Sequence, residues 1–341
     1  MYKHLLKMTD KNGIIQFSKK DEPDKSSGYT VDDNARALIV SLNMKNEEGR
    51  ELSKIYANFL KEAQKEDGSF SNLKVDKKFL PDLDSEDCFG RAFLASCYVA
   101  THGDAELKNL GLNLILKSIE YIGNIRSLRA AAYCLIGLFY LEDIFPGNRF
   151  IMDSAKKLAY HLIEKYQQNS CGEWQWFEDR LTYCNALLPH SLFSYYELSS
   201  DKKALKVANK TLKFLSGALF KKGYLNIVGN RGWWNKEDKP PLFDQQPVDA
   251  ASIILACLQA YIATGDKEYM VLARVAFKWY MGENINKVPL INDKTQGCHD
   301  ALVPDGVNLN QGAEALVSYL MACQLLNEFE RGNAVECVPA V

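Results

Sequence analysis

The chain has 341 residues, 47% apolar and 25% charged, which is enough for two average domains or one large repeating one and rules out a disordered or fibrous protein. Its 41 Lys and Arg against 43 Asp and Glu leave a net charge of −2, so the sequence offers no electrostatic attraction to nucleic acid or to an anionic membrane.

The N-terminus, MYKHLLKMTDKNG, has no basic segment ahead of an apolar run, and no stretch reaches the ~20 apolar residues of a membrane span, so a cytoplasmic protein without a membrane partner is expected. YKHLLKM is a short candidate helix. Residues 34 to 42 predict a helix with little polar surface, and EEGRELSKIYANFLKEAQ predicts an amphipathic one, with Leu52, Ile55, Tyr56, Phe59, Leu60 and Ala63 at helical spacing. The two kinds then alternate. Residues 88 to 100 (CFGRAFLASCYVA), 130 to 140 (AAAYCLIGLFY), 183 to 198, 250 to 263 (AASIILACLQAYIA) and 312 to 326 (GAEALVSYLMACQLL) are apolar on all sides, while 104 to 122, 151 to 166, 201 to 219 and 269 to 280 keep one wet face. A helix with no polar face must be surrounded by other helices. Pro189 is expected to kink the fourth apolar helix unless it falls at a break.

Inner helices beginning near residues 32, 86, 127, 181, 248 and 311, each followed by an outer one, predict an all-α fold: an (α/α)6 toroid of six hairpins. YKHLLKM would supply the sixth outer helix and short strands would sit in the rim loops. An open solenoid is the alternative. A single domain is expected over residues 1–330, with a C-terminal tail at 331–341. The long connections, roughly 66 to 84, 168 to 180, 220 to 247 and 284 to 310, all lead from outer into inner helices and should gather at one rim. QKEDGSF (64 to 70) matches the Q-x-x-D-G motif of terpenoid-cyclase toroids, but no acid motif of those enzymes accompanies it, so it reads as a lock between an outer helix and a rim loop. Nine cysteines, none in a C-x-x-C pair, read as small apolar core residues.

Charge stands almost only at the N-terminal ends of the inner helices: Asp32, Asp33 and Arg36; Asp87 and Arg91; Arg126 and Arg129; Glu178, Asp179 and Arg180; Asp249; and Glu314. With helix direction set by the alternation, these ends open into one bowl, the natural place for an active site. Asp32–Arg36 and Asp87–Arg91 also have i, i+4 spacing, and helix capping competes with catalysis as the reason for these acids. The candidate catalytic carboxylates are Asp33, Asp87, Glu178, Asp179 and Glu314. Glu314 stands out as a lone charge in an inner helix.

Candidate substrate contacts are Tyr29, Asp32, Arg36, Arg91, Arg180, Asn185, Asp249, Asn310 and Gln311; the loop tryptophans Trp174, Trp176, Trp233 and Trp234 as stacking platforms; and His190 and His299, the two histidines placed to reach the bowl. Gln245, Gln246 and Asn308 add neutral polar groups. Carboxylates and amides over aromatic floors suit carbohydrate. No metal-ligand spacing, G-x-G-x-x-G, G-x-x-x-x-G-K-[ST] or G-x-S-x-G occurs, so neither metal nor cofactor is expected.

The strings GIIQF, GYTVDDNARAL, WQWFEDRLTYCNALLPHSL, DQQPVDAA and TQGCHDALVPDGVNLNQGAEAL resemble a family of bacterial and archaeal proteins described as glycosyltransferase-associated and sometimes fused to glycosyltransferase domains. The likeness runs from about residue 5 to 325. That family looks like part of the six-hairpin glycosidase superfamily, which implies glycoside chemistry by paired carboxylates. Cys184 and His190 stand where many relatives carry an acid. The expectation is a glycoside hydrolase of inverting type on an oligosaccharide that contains mannose, with a functional link to a glycosyltransferase or a glycoside phosphorylase. A sugar epimerase or isomerase using His190 and His299, and a non-catalytic carbohydrate-binding module, are the alternatives.

Overall fold

The computed structural model describes residues 1–333, and among these the chain forms twelve α-helices and a set of two- and three-residue strands. Residues 334–341, which include Cys337 and most of the expected tail, lie outside the described residues; Arg331 to Asn333 belong to the last helix. The helices are α1 (Lys3–Met8), α2 (Val31–Leu42), α3 (Glu47–Ala63), α4 (Glu86–His102), α5 (Ala105–Ser118), α6 (Leu128–Leu141), α7 (Arg149–Asn169), α8 (Leu187–Ser199), α9 (Lys202–Leu219), α10 (Pro247–Thr264), α11 (Lys267–Lys278) and α12 (Ala313–Asn333). The even-numbered helices form the inner ring. Each packs on the next, and α12 packs on α2, so the ring closes and the open solenoid is excluded. α1 lies against α12 as the short sixth outer helix.

Local sequence explains how the hairpins start. The outer helices α3, α5, α7, α9 and α11 follow tight turns that end in Asn46, Asp104, Asn148, Asp201 and Asp266, whose side chains accept the free amides of the first turn. The inner helices α2, α4 and α6 are capped by the hydroxyls of Thr30, Ser85 and Ser127. Small residues let the inner helices crowd: a Cβ on Gly90 would lie 2.9 Å from the Cα of Ala130 on the neighbouring helix. α8 begins at Leu187, later than its composition suggests, because residues 180 to 186 make a short strand and a turn with Cys184 at φ 46°. Pro189 thus falls in the first turn, where its missing N–H costs nothing, and the expected kink does not arise. α10 carries no charge beyond Asp249 in its first turn because it is an inner helix between α8 and α12.

The long connections do gather at the N-terminal rim of the inner ring. Tyr29–Thr30 pairs with Leu73–Val75, which pairs with Lys78–Leu80, and Arg180–Leu181 pairs with Trp234–Asn235. Ala301–Val303 forms a hairpin with Gly306–Asn308, and Gln245 exchanges two backbone hydrogen bonds with Leu302. The Q-x-x-D-G segment is the lock expected of it: Gln64 Nε2 donates to the Leu114 carbonyl at 2.8 Å, and Asp67 accepts from the amide and hydroxyl of Ser69.

Candidate active site

A cavity of about 590 Å³ opens at the rim and is floored by the first turns of α2, α10 and α12. Asp32, Asp33, Arg36 and Glu314 line it, together with Asp244, Gln246, Asp300 and Asn308 from the loops. Because Thr30 caps α2, its two aspartates are free for side-chain contacts. Arg36 Nη2 donates to Glu314 Oε2 at 2.9 Å and to Asp33 Oδ1 at 3.3 Å, while Thr30 Oγ1 donates to Asp33 Oδ2 at 2.7 Å. Asp32 accepts from Arg91 Nη1 at 2.9 Å and from Asn72 Nδ2 at 3.1 Å. The i, i+4 ion pairs expected from spacing therefore do not form. Arg36 and Arg91 reach across to neighbouring helices, and Arg36 Nε turns to the Asp32 backbone carbonyl.

Protonation differs among these acids. Burial pushes Asp33 up to about 6 despite Arg36 beside it. For Asp32, burial works upward but Arg91 and Arg36 outweigh it and hold it below the usual carboxylate range. Asp300 is pushed up to about 6 by burial, against the Gly312 amide that donates to its Oδ1 at 2.6 Å, and with the charge of Glu314 nearby adding to the rise. Glu314 is 48% exposed and has one carboxylate oxygen on Arg36. Asp244 pairs with the exposed Arg231 at 3.0 Å.

Other predicted residues lie elsewhere. Asp87, Glu178 and Asn185 form a second cluster around Arg129, outside the lining of the cavity. Arg129 donates to Glu178 at 3.1 Å, to the Tyr183 carbonyl at 2.7 Å and to Asn185 Oδ1 at 3.3 Å, and Asp87 accepts from Tyr183 Oη at 2.5 Å and Ser127 Oγ at 2.7 Å. Trp233, half-buried, sits beside the Tyr183 ring in this cluster. Asp249 is buried and accepts the Cys184 amide at 2.6 Å; burial drives it up to about 7. His190 lies deeper, in the apolar bore with Tyr133, Leu187 and Met321, and burial lowers it to about 4.

Several expectations are corrected. Trp174 and Trp176 are buried, packed with Phe214, and Trp234 packs against both Trp174 and Phe214, so these three tryptophans anchor loops and do not line the cavity. Asp179 and Arg180 are exposed on the outer loop and do not line the cavity. Tyr29 donates to Asp10 Oδ2 at 2.8 Å and packs on Phe59, facing the N-terminal segment. His299 is buried within its loop, where burial lowers its pKa. Asn310 and Gln311 tie the N-terminal segment down: Asn310 Oδ1 accepts the Lys20 amide, and the Gln311 carbonyl meets His4 Nε2 at 2.8 Å. Asp300 and Asp244 are cavity acids that the sequence reading did not single out. No group of three or more metal-ligating side chains occurs among the described residues.

No protein-family model matches the chain, and neither does any protein of curated function. Solved structures do. A sugar epimerase from a ruminal bacterium superposes with a TM-score of 0.75 at 14% identity, covering 98% of this chain and 96% of that one. A D-mannose isomerase gives 0.71 at 14% identity, covering 96% of each. A GH76 alpha-mannanase from Bacteroides thetaiotaomicron gives 0.66 at 14% identity, covering 90% of this chain and 88% of that one. At such identity the likeness is one of fold, and it agrees with the closed helical ring: the chain is an (α/α)6 toroid.

Proposed function

We propose that the protein is a carbohydrate-active enzyme, and within that class a glycoside hydrolase that cleaves a neutral, mannose-containing oligosaccharide. Three solved structures of the same fold carry names of sugar enzymes, two of them acting on mannose or a mannan. The observation that carries the hydrolytic reading is the pairing of two unlike carboxyls in one cavity. Asp300 has a raised pKa, and Glu314 is anchored through one oxygen by Arg36. Protonated Asp300 gives its proton to the leaving glycosidic oxygen as the bond to the anomeric carbon breaks. Glu314 takes a proton from a water whose oxygen bonds to that carbon, so the configuration inverts.

The charges fit a neutral substrate. Asp32 pairs with Arg91, Glu314 and Asp33 share Arg36, and Asp244 pairs with Arg231, while burial pushes Asp33 and Asp300 toward neutrality. An acidic sugar would meet a lining with five carboxyl groups, where the guanidinium of Arg36 is already paired with Glu314 and Asp33. The histidine-based epimerase reading has less support, because His190 lies in the bore and His299 inside its loop, and neither lines the cavity. The test is turnover of neutral manno-oligosaccharides by Glu314→Gln and Asp300→Asn. Each should lose about 10³-fold in kcat with a melting temperature near that of the parent, while Glu178→Gln keeps activity. Full activity in both cavity variants, or an epimerised product of unchanged chain length, would overturn the proposal.

A further inference from the structure

The cavity lacks the tryptophan floor expected of it, yet two large apolar side chains stand open at its lining. Phe17 is 55% exposed and Leu83 is 51% exposed, and they come from different rim segments. Exposed apolar residues are common on surfaces, but these two line the same cavity as the polar cluster. Phe17 lies in the N-terminal segment. Its amide donates to Ser27 Oγ at 3.0 Å and its carbonyl accepts the Asp24 amide at 2.9 Å. The preceding residue, Gln16, takes the Ala313 amide at 3.0 Å on its carbonyl, one residue from Glu314. Leu83 ends a short helical turn, Pro81–Leu83. The next residue, Asp84, accepts the Asn72 amide at 2.8 Å, and the Asn72 side chain holds Asp32. Both segments are thus tied by short hydrogen-bonded paths to the first turns that carry the cavity carboxylates.

We infer that Phe17, with Leu83, forms a sugar-binding subsite beyond the point of cleavage, in which the Phe17 ring stacks on the C–H face of a pyranose one unit removed from the sugar held by the carboxylates. The inference rests on the glycoside reading above and deepens it. A pyranose offers one apolar face and a rim of hydroxyls, so a flat ring at the lip with polar groups deeper in the cavity matches both surfaces. A residue whose main chain is already held by hydrogen bonds loses little backbone freedom on binding. The residue sets the preferred chain length and takes no part in bond cleavage.

Titration calorimetry of the full chain with mannose, mannobiose and mannotriose tests this. Phe17→Ala should bind mannotriose about tenfold more weakly while its affinity for mannose is unchanged; Phe17→Tyr should restore trisaccharide binding, and Leu83→Ala should show a smaller loss of the same kind. Equal affinity of Phe17→Ala and parent for every chain length overturns the inference, as does an equal loss for mannose and mannotriose, which would make Phe17 a prop for the cavity. Absence of saccharide binding to the parent overturns it too. The hydrolase reading fails separately: if the length-dependent loss is found but the parent releases no reducing ends, the subsite stands and hydrolysis falls.

Discussion

Asp300 and Glu314 share a cavity but differ in surroundings. Asp300 is held in a loop against one backbone amide, with no cation paired to it among the described residues, and burial raises it to about 6; Glu314 is half-exposed and bound to Arg36. A general acid must carry its proton, so kcat/KM should fall as pH rises through about 6, and Asp300→Asn should remove that limb along with most of the rate. A pH–rate profile in which the parent keeps its activity to pH 8 would exclude Asp300 as the acid. Glu314, Asp33 and Arg36 were legible in the sequence because charge in an inner helix is costly and therefore conspicuous. Asp300 was not, since it follows His299 in a loop where the histidine drew notice. Between the short strands Gly297–Cys298 and Ala301–Val303, the two neighbours serve different surroundings, His299 buried in the loop and Asp300 at the cavity. The tryptophans misled for a related reason: a large ring in a long loop serves first to fix that loop, and only contact partners reveal whether a face is left free.

Among elements, the alternation of one-sided and all-round apolar helices carried the fold, because burial on every side leaves no room for charge whatever the handedness of packing. Boundaries set by local chemistry were harder to see. α8 starts after a left-handed Cys184 whose amide is taken by Asp249 on the next inner helix, a contact with no local trace in composition. The Q-x-x-D-G lock was legible because its turn demands Gly. Gly68 has φ +82°, and a Cβ there would sit 2.1 Å from the Lys117 carbonyl at the end of α5. Gly68→Ala must therefore both strain the turn and push α5 away from the rim loop. It should destabilise the protein by about 1–3 kcal/mol, read as a lower melting temperature, with kcat unchanged at temperatures where the variant is folded. An unshifted melting temperature would show that the loop and α5 are not coupled as the geometry requires.

At the scale of the whole molecule, closing the ring brings the N-terminal ends of six helices to one rim, where several of their acids are buried and the fold carries an electrostatic cost. Asp249 is the clearest case. Its ordinary pKa is 3.8 and burial raises it to about 7 in the folded chain, where Glu314 adds to the rise and Cys184 and Arg129 work against it. The folded state therefore binds more protons than the unfolded one between those values, and stability falls as pH rises through that window. The contribution is fully present below pH 3.8 and gone above about 7. Asp249→Asn keeps an oxygen for the Cys184 amide and cannot ionise, so it should match the parent at pH 4 and become the more stable of the two as pH rises. The gain at pH 8 should be at least about 1 kcal/mol, roughly 2 °C in melting temperature for a chain of this size. The comparison centres on one group, because the other titrating residues are present in both proteins and only those coupled to Asp249, such as Glu314, respond to its loss. A constant difference between them from pH 4 to 8 would mean that Asp249 does not titrate in the folded toroid, and that the charge of the rim is balanced by another route.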